Sequence, residues 1–206
     1  MTRAEGTPER TSEEGLLGSV SGVQVRVALN SRPWELAIDT LVISVSPVGF
    51  GQLGNAVQRK FPSLNLGSVD LTRVTPDRPE TLELPPQGSL QLRRIILATA
   101  RHTDASMPEV LEGPATLEAV HRATTSSIRL ADARKAKALG LPLLGAGAIG
   151  LAPNEVAYEV IPATRTALRE QQSHSLEEVI LLCKDEPAKR GHGARLGLSR
   201  SIGGSM

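Results

Sequence analysis

The hydrophobic positions of the chain alternate between strand-like and helix-like spacing. Apolar residues at every second position over Val23–Leu29 predict a half-buried strand. The almost continuous apolar, β-branched run Ile38–Val45 predicts a central strand that is covered on both faces. A similar run, Arg94–Thr99, predicts a second buried strand. The pattern therefore indicates a sheet whose central strands are buried.

Shorter apolar runs predict the remaining strands. Ser68–Leu71 and Thr81–Leu84 flank a polar turn and are two short strand candidates. Leu141–Leu144 predicts a brief strand, and Leu176–Cys183 predicts the last strand of the chain.

Helical spacing separates these strands. A helix is expected to begin within the segment GFGQLGNAVQRKF, and the longest helical pattern covers Thr116–Leu139, with Gly140 as its C-cap. Asn154–Gln171 is also helical in pattern, and Pro162 within it is expected to kink or restart the helix. Strands that alternate with covering helices predict an α/β fold, namely a three-layer α/β/α sandwich with a mixed, mainly parallel sheet.

The two ends of the chain differ in composition from its middle. Residues 1–22 are polar and lack apolar periodicity, which predicts a flexible N-terminal segment before a domain at residues 23–186. The alternative is that its last residues, Leu16–Ser21, dock on the domain. Residues 187–206 carry basic side chains and glycines without an acidic residue. They are expected to form a flexible basic tail, and the alternative is a basic arm that contacts an acidic partner or nucleic acid.

Composition excludes several function classes. Of the 206 residues 40% are hydrophobic and only 2% aromatic, so a packed core is expected but no aromatic platform for single-stranded nucleic acid. The net charge of +1 argues against a duplex-DNA binder. With one cysteine, Cys183, and no histidine pair at helical ligand spacing, neither a disulfide nor a metal site is expected. No apolar run is long enough for a membrane helix, and we expect a cytoplasmic protein without a cofactor.

Two glycine-rich segments carry most of the functional signal, because each directly follows a predicted buried strand. Ligands of α/β sheets gather at the carboxyl ends of strands, where glycines let backbone N–H groups approach a phosphate. Neither segment is a Walker A loop, and ordinary turn formation is the alternative explanation for each. The candidate phosphate-binding residues are Gly49, Phe50, Gly51, Gln52, Leu53 and Gly54 in the first loop, and Gly145, Ala146, Gly147, Ala148, Ile149 and Gly150 in the second.

Across residues 23–186 the order of these segments resembles that of the macro domain, an ADP-ribose-binding module. The family's second core strand, usually V-D-A-I-V-N-A-A-N, is similar to IDTLVISVSP at residues 38–47. Its two glycine loops are similar to GFGQLGNAV and LGAGAIG, and its closing strand is similar to SLEEVILLCKDE. The resemblance implies a sandwich fold in which the two loops hold the phosphates of ADP-ribose or of a related nucleotide derived from NAD.

The sequence also departs from the family at its functional side chains. Family hydrolases use asparagines at the end of the second core strand, where this chain has Ser44 and Ser46. Ile149 stands where an aromatic residue commonly covers the distal ribose, and Asn30 lies near the position of the adenine-reading aspartate. His102 follows a strand whose end is expected to face the cleft. We therefore expect adenine or ribose contacts from Asn30, Ser44, Ser46 and His102, and no catalytic residue.

Three functions remain open at this point. The first is a non-catalytic reader of ADP-ribose or a related nucleotide. The second is an ADP-ribosyl or ADP-ribose-phosphate hydrolase, in which Ser44, Ser46 or His102 assists the substrate's own phosphate and a fixed water. The third is an interaction domain that keeps the fold and binds no nucleotide.

Overall fold

The computed structural model describes residues 14–29, 32–86, 88–101, 115–146, 150–170 and 174–183. Its strands are β1 (Glu14–Val20), β2 (Val23–Leu29), β3 (Thr40–Ser46), β4 (Gly49–Phe50), β5 (Glu80–Glu83), β6 (Arg94–Ala98), β7 (Ala138–Pro142) and β8 (Glu178–Cys183). Its helices are α1 (Gln52–Lys60), α2 (Leu117–Ala133) and α3 (Pro153–Arg169). Within these ranges, no helix combines the length and the apolar character that crossing a membrane requires.

The described strands form one mixed sheet in the order β1-β2-β8-β7-β3-β6-β5, and β4 pairs with β3 outside this path. The inner pairs β2–β8, β8–β7, β7–β3 and β3–β6 are parallel. The outer pairs β1–β2 and β5–β6 are antiparallel. The prediction of a mixed, mainly parallel sheet is therefore confirmed.

Hydrophobic residues fill both faces of the sheet. Successive residues of a strand face opposite sides, and so Val42 packs under α2 and α3 while Ile43 packs under α1. Trp34 and Phe61 lie on the α1 side with their ring centroids 6.4 Å apart in an edge-to-face arrangement. The core thus has two layers of side chains, one on each side of the sheet, as a three-layer α/β/α sandwich requires.

The folded domain begins earlier than the sequence predicted. Residues 1–22 were expected to be flexible, but Glu14–Val20 forms the edge strand β1, which pairs antiparallel with β2. The register shifts between Leu16 and Gly18. This irregularity breaks the alternation of apolar residues by which a strand is recognised in a sequence. Residues 1–13 and 184–206, the latter including the basic tail, lie outside the described residues.

The longest helix ends earlier than predicted. The pattern over Thr116–Leu139 was expected to continue to a C-cap at Gly140, but α2 stops at Ala133 and β7 follows. Lys135 adopts a left-handed conformation with φ of 62°. The N–H groups of Lys135 and Ala136 then bond to carbonyls of the last helical turn, 2.9 and 3.0 Å away. This is a Schellman-type ending in which lysine occupies the position that glycine usually takes.

The other predicted elements are present with one exception. Ser68–Leu71 was expected to be a strand, but the chain there forms 3₁₀ turns at Leu66–Ser68 and Leu71–Arg73. Asp70 starts the second turn, because its side chain accepts a hydrogen bond from the Thr72 N–H. Pro162 lies inside α3, which the structure assigns as one helix over Pro153–Arg169.

Candidate functional site

The sheet topology predicts a crevice between the carboxyl ends of β3 and β7. The two strands pair only at Thr40–Leu139 and Leu41–Gly140, although β3 continues to Ser46. The chain leaves β3 for α1 on one face of the sheet and leaves β7 for α3 on the other face. Neighbouring strands whose connections run to opposite faces define the place where α/β sheets bind ligands. Both predicted glycine loops border this crevice.

The first wall of the crevice is a tight hairpin between β3 and β4. Ser46 pairs with Gly49 across the turn Pro47–Val48, and the Ser46 hydroxyl donates to the Gly49 carbonyl at 3.4 Å. Gly49 has a φ of 147°, a conformation that side chains rarely adopt. The Val48 side chain at the tip is 74% exposed. The turn itself therefore accounts for Gly49 and for the hydrogen bond of Ser46.

Gly51, the N-cap of α1, has no comparable structural reason to be glycine. Its N–H donates to the Ser44 carbonyl at 3.3 Å, which fixes the start of the helix next to the end of β3. A Cβ on Gly51 would lie 3.6 Å from that carbonyl oxygen, an ordinary contact, and the residue is exposed. No side chain caps the helix. The first turn of α1, which includes Gln52 and Leu53, therefore begins beside the crevice with an N-cap that has no Cβ.

Gly54 serves packing within the protein. It is buried, and a Cβ added to it would lie 2.8 Å from the Cβ of Phe50, closer than real Cβ contacts. Phe50 packs on the apolar cluster under α1. Asn55 adds a hydrogen bond from its Nδ2 to the Phe50 carbonyl at 3.2 Å. The three glycines of the first loop thus differ in their roles, and only Gly51 is left unexplained by the fold.

The second glycine loop forms the opposite wall of the crevice. Gly145 has a φ of 86°, and a Cβ there would lie 3.2 Å from both the Ala100 Cβ and the Val120 Cγ2. The Ala146 N–H donates to the Leu143 carbonyl, and the Leu151 N–H donates to the Gly145 carbonyl, at 3.2 and 2.8 Å. This last bond closes the loop. Gly150 within it is exposed, whereas Gly147, Ala148 and Ile149 lie outside the described residues.

The segment that follows β6 packs beside this loop. Ala100 and Ala115 are both near Gly145, and Arg101 pairs with Ala115 in an isolated antiparallel bridge. The Thr99 hydroxyl accepts a hydrogen bond from the Arg101 N–H at 3.3 Å. The chain segments after β3, β6 and β7 therefore meet at the same edge of the sheet. Of the predicted adenine and ribose contacts, His102 and Asn30 lie outside the described residues.

Ser44 and Ser46 lie on the face of β3 that α2 and α3 cover, since they share the alternation of Val42. Both are half-buried. No histidine, aspartate or glutamate occurs in the described part of the loops that follow β3, β6 and β7, which comprises residues 47–51, 99–101, 115–116, 143–146 and 150–152. Nor do the described residues contain a group of three or more His, Cys, Asp or Glu side chains arranged to hold a metal ion.

A buried polar cluster that the sequence analysis did not predict lies at the other end of the strands, where the chain enters β8. The Asp132 carboxylate accepts hydrogen bonds from the Ser175 hydroxyl, the Ser175 N–H and the Leu176 N–H at 2.8, 2.6 and 3.0 Å. His174 Nδ1 lies 3.1 Å from the same carboxylate. Burial alone raises the pKa of Asp132, but these hydrogen bonds outweigh it and hold the pKa below its ordinary value.

This cluster contains serine, histidine and aspartate, but it is not arranged as a nucleophilic triad. His174 Nε2 lies 2.8 Å from the Leu168 carbonyl, where a triad would place the serine hydroxyl. The Ser175 hydroxyl instead donates to the carboxylate and the backbone carbonyl of Asp132. The cluster ties the end of α2 to the end of α3 and to the approach to β8, and its role is structural.

Comparison with known proteins agrees with the fold. No protein-family model matches the sequence, and no curated protein matches it significantly. A Trypanosoma brucei macrodomain in complex with ADP-ribose superposes with a TM-score of 0.69 at 14% identity, covering 88% of this chain and 74% of the other. An Oceanobacillus iheyensis macrodomain with ADP gives a TM-score of 0.62 at 14% identity, with 90% and 95% covered.

These likenesses show that the chain has the macro-domain fold. They confirm the fold that the sequence resemblance implied, in spite of the low identity. The residues expected to contact a ligand stay predictions.

Proposed function

We propose that the protein binds ADP-ribose, or a related nucleotide derived from NAD, in the crevice between β3 and β7 and acts as a reader that does not hydrolyse its ligand. The observation that carries this proposal is Gly51. It starts α1 at the rim of the crevice, no side chain caps the helix, and no packing contact requires a glycine there. A glycine that neither packing nor a positive φ requires, at the N-terminus of a helix, lets a phosphate approach the backbone N–H groups.

The second wall supplies a similar element from the other face of the sheet. α3 begins after Ala152, again without a side-chain cap. The N-terminal ends of α1 and α3 each carry a partial positive charge, and they approach the crevice from opposite faces. A diphosphate between them is attracted by both helix ends, which is the role proposed for the two glycine loops.

Binding to this fold has precedent in the macro domains whose structures resemble it, one in complex with ADP-ribose and another with ADP. Hydrolysis is not part of the proposal because Ser44 and Ser46 stand where the resemblance places the asparagines of family hydrolases. A serine hydroxyl is shorter than an asparagine amide and offers one donor where the amide offers two. The Ser46 hydroxyl, moreover, donates to the Gly49 carbonyl within its own hairpin.

Calorimetric titration and thermal unfolding with ADP-ribose, ADP, NAD and AMP test the binding. At a ligand concentration of about 100 times Kd we expect stabilisation by roughly 2.7 kcal/mol. Failure of every nucleotide to bind would overturn the proposal in favour of an interaction domain. Incubation with mono-ADP-ribosylated proteins then tests the reader role. We expect no release of ADP-ribose, whereas release that Ser44→Ala or Ser46→Ala abolishes would identify a hydrolase.

A further inference from the structure

His174 lies in the Asp132 cluster with both of its ring nitrogens against hydrogen-bond acceptors. Its side chain is 3% exposed, and the Asp132 side chain beside it is 6% exposed. His174 Nδ1 lies 3.1 Å from Asp132 Oδ2, and Nε2 lies 2.8 Å from the Leu168 carbonyl oxygen. Ser175 and Leu176 bond to the other carboxylate oxygen of Asp132, which leaves Oδ2 to His174 within the described part of the chain.

Only a doubly protonated ring satisfies both of these contacts. A neutral imidazole carries one N–H, and its other nitrogen is an acceptor. In either neutral tautomer of His174, a nitrogen lone pair would therefore face an oxygen lone pair at 2.8 or 3.1 Å in a buried position. An imidazolium donates from both nitrogens and leaves neither acceptor without a partner.

The surroundings of the ring favour a positive charge on it. The Asp132 carboxylate, whose pKa is lowered, is an opposite charge in direct contact with the ring. The Leu168 carbonyl belongs to the last turn of α3, where a helix has unpaired C=O groups and the negative end of its dipole. Asp132 belongs to the last turn of α2, so the ring lies between the ends of two helices. Burial opposes a charge on the ring, and these contacts act against that penalty.

The other charged side chains that border the cluster are exposed or paired with one another. They are Arg134 and Lys135 after α2, Arg169 and the pair Glu170–Arg129 at the end of α3, and the pairs Lys137–Glu177 and Arg26–Glu178 at the start of β8. Residues 171–173, which precede His174 and lie outside the described ranges, contain no ionisable side chain. The charge in direct contact with the ring is therefore the Asp132 carboxylate.

We propose that His174 is an imidazolium in the folded protein and acts as a pH-sensitive latch between the ends of α2 and α3 and the start of β8. Histidine is the side chain that changes its charge in the physiological pH range. When the pH rises and the ring loses one proton, one of its two hydrogen bonds is replaced by a contact between lone pairs. The stability that the latch contributes is therefore present at the acidic end of this range and is lost as the pH rises. The proposal does not depend on nucleotide binding.

Long-range ¹H–¹⁵N NMR correlation spectra of the ¹⁵N-labelled full chain test the protonation of the ring directly. The folded protein is compared with the chain unfolded in urea at the same pH, over about pH 5 to 9. We expect both nitrogens of His174 to carry protons in the folded protein at pH values where the unfolded ring has lost one. A folded His174 with one bare nitrogen at those pH values would overturn the proposal.

Urea unfolding over the same pH range tests the latch, with His174→Gln and His121→Gln as a matched pair of variants. We expect the folding equilibrium constant of the wild type to fall by about ten- to a hundredfold as the pH rises, the usual effect of losing a hydrogen bond to a charged group. Glutamine does not titrate, so we expect His174→Gln to remove this dependence. His121 pairs with Glu159 in a more exposed position, with 34% and 28% of the two side chains accessible, and we expect His121→Gln to keep the dependence.

An equal pH dependence in the wild type and His174→Gln would contradict the latch. Loss of the dependence in His121→Gln would also contradict it, because the other histidine would then be responsible. If His174→Gln does not fold, the NMR comparison on the wild type decides the proposal alone.

Discussion

Gly54 lies so close to Phe50 that a Cβ added to it would come within 2.8 Å of the Phe50 Cβ. Gly54 belongs to α1 and Phe50 to the strand that pairs with the end of β3, so their contact sets how closely the helix approaches the hairpin. We expect Gly54→Ala to destabilise the protein by about 1–3 kcal/mol, because overpacking forces the helix or the ring to move. Urea unfolding measures the loss. Unchanged stability would show that α1 or the Phe50 ring moves away from the added Cβ at no measurable cost in free energy.

The left-handed Lys135 predicts a stabilising substitution. A residue with a Cβ is strained in this conformation, and glycine is not. We expect Lys135→Gly to increase the free energy of unfolding by about 0.5–1 kcal/mol, measured by chemical denaturation. Lys135→Ala is the control, since it removes the same charged side chain but keeps the strain. If alanine stabilises as much as glycine, the lysine charge and not the backbone is responsible.

The lowered pKa of Asp132 predicts a defined pH dependence of stability. Because this pKa lies below the ordinary value of 3.8, the carboxylate stabilises the folded protein fully above the unfolded-state pKa. The contribution is lost as the pH falls through the folded-state pKa. We expect Asp132→Asn to cost roughly 2 kcal/mol at pH 7, since hydrogen bonds to a buried charge are lost, and much less near pH 2. Urea unfolding at the two pH values gives both numbers.

Asp70 supplies the comparison for this experiment. Its pKa is also lowered, chiefly by the hydrogen bonds from the hydroxyl and N–H of Thr72, but it is fully exposed. Water replaces those bonds at little cost, so we expect Asp70→Asn to leave the pH dependence almost unchanged. An equal effect of the two substitutions would contradict the assignment of the acid-sensitive stability to the Asp132 cluster.

Periodicity in the sequence predicted the central strands, because runs such as Ile38–Val45 are apolar on both faces and only a buried strand accommodates them. Periodicity failed where backbone geometry overrode it. β1 is interrupted by the irregularity at Gly18, and the end of α2 is set by a left-handed lysine that no sequence rule identifies as a C-cap. The hydrogen bonds of β1 come from its pairing with β2, and those at the end of α2 run from Lys135 and Ala136 to the last helical turn. The spacing of apolar residues indicates neither.

The candidate site was predictable in outline from the two glycine loops. The crevice was not predictable, because the sequence does not indicate that β3 and β7 are neighbours or that their pairing stops at Leu41 and Gly140. The individual glycines were equally ambiguous. Gly49 and Gly54 serve the turn and the packing, and three-dimensional contacts were needed to separate them from Gly51. The Asp132 cluster gave no signal, since its members lie about 40 positions apart in the chain.

The most direct test of the account is the titration of ADP-ribose into the wild type and Gly51→Asp, with the stability of both proteins measured in parallel. Aspartate at an N-cap hydrogen-bonds the first helical turn and complements the helix dipole, so we expect α1 to be stabilised by a few tenths of a kcal/mol. The same carboxylate occupies and repels the proposed phosphate position, so we expect binding to be lost. A stable Gly51→Asp protein that binds ADP-ribose as tightly as the wild type would contradict the proposed site.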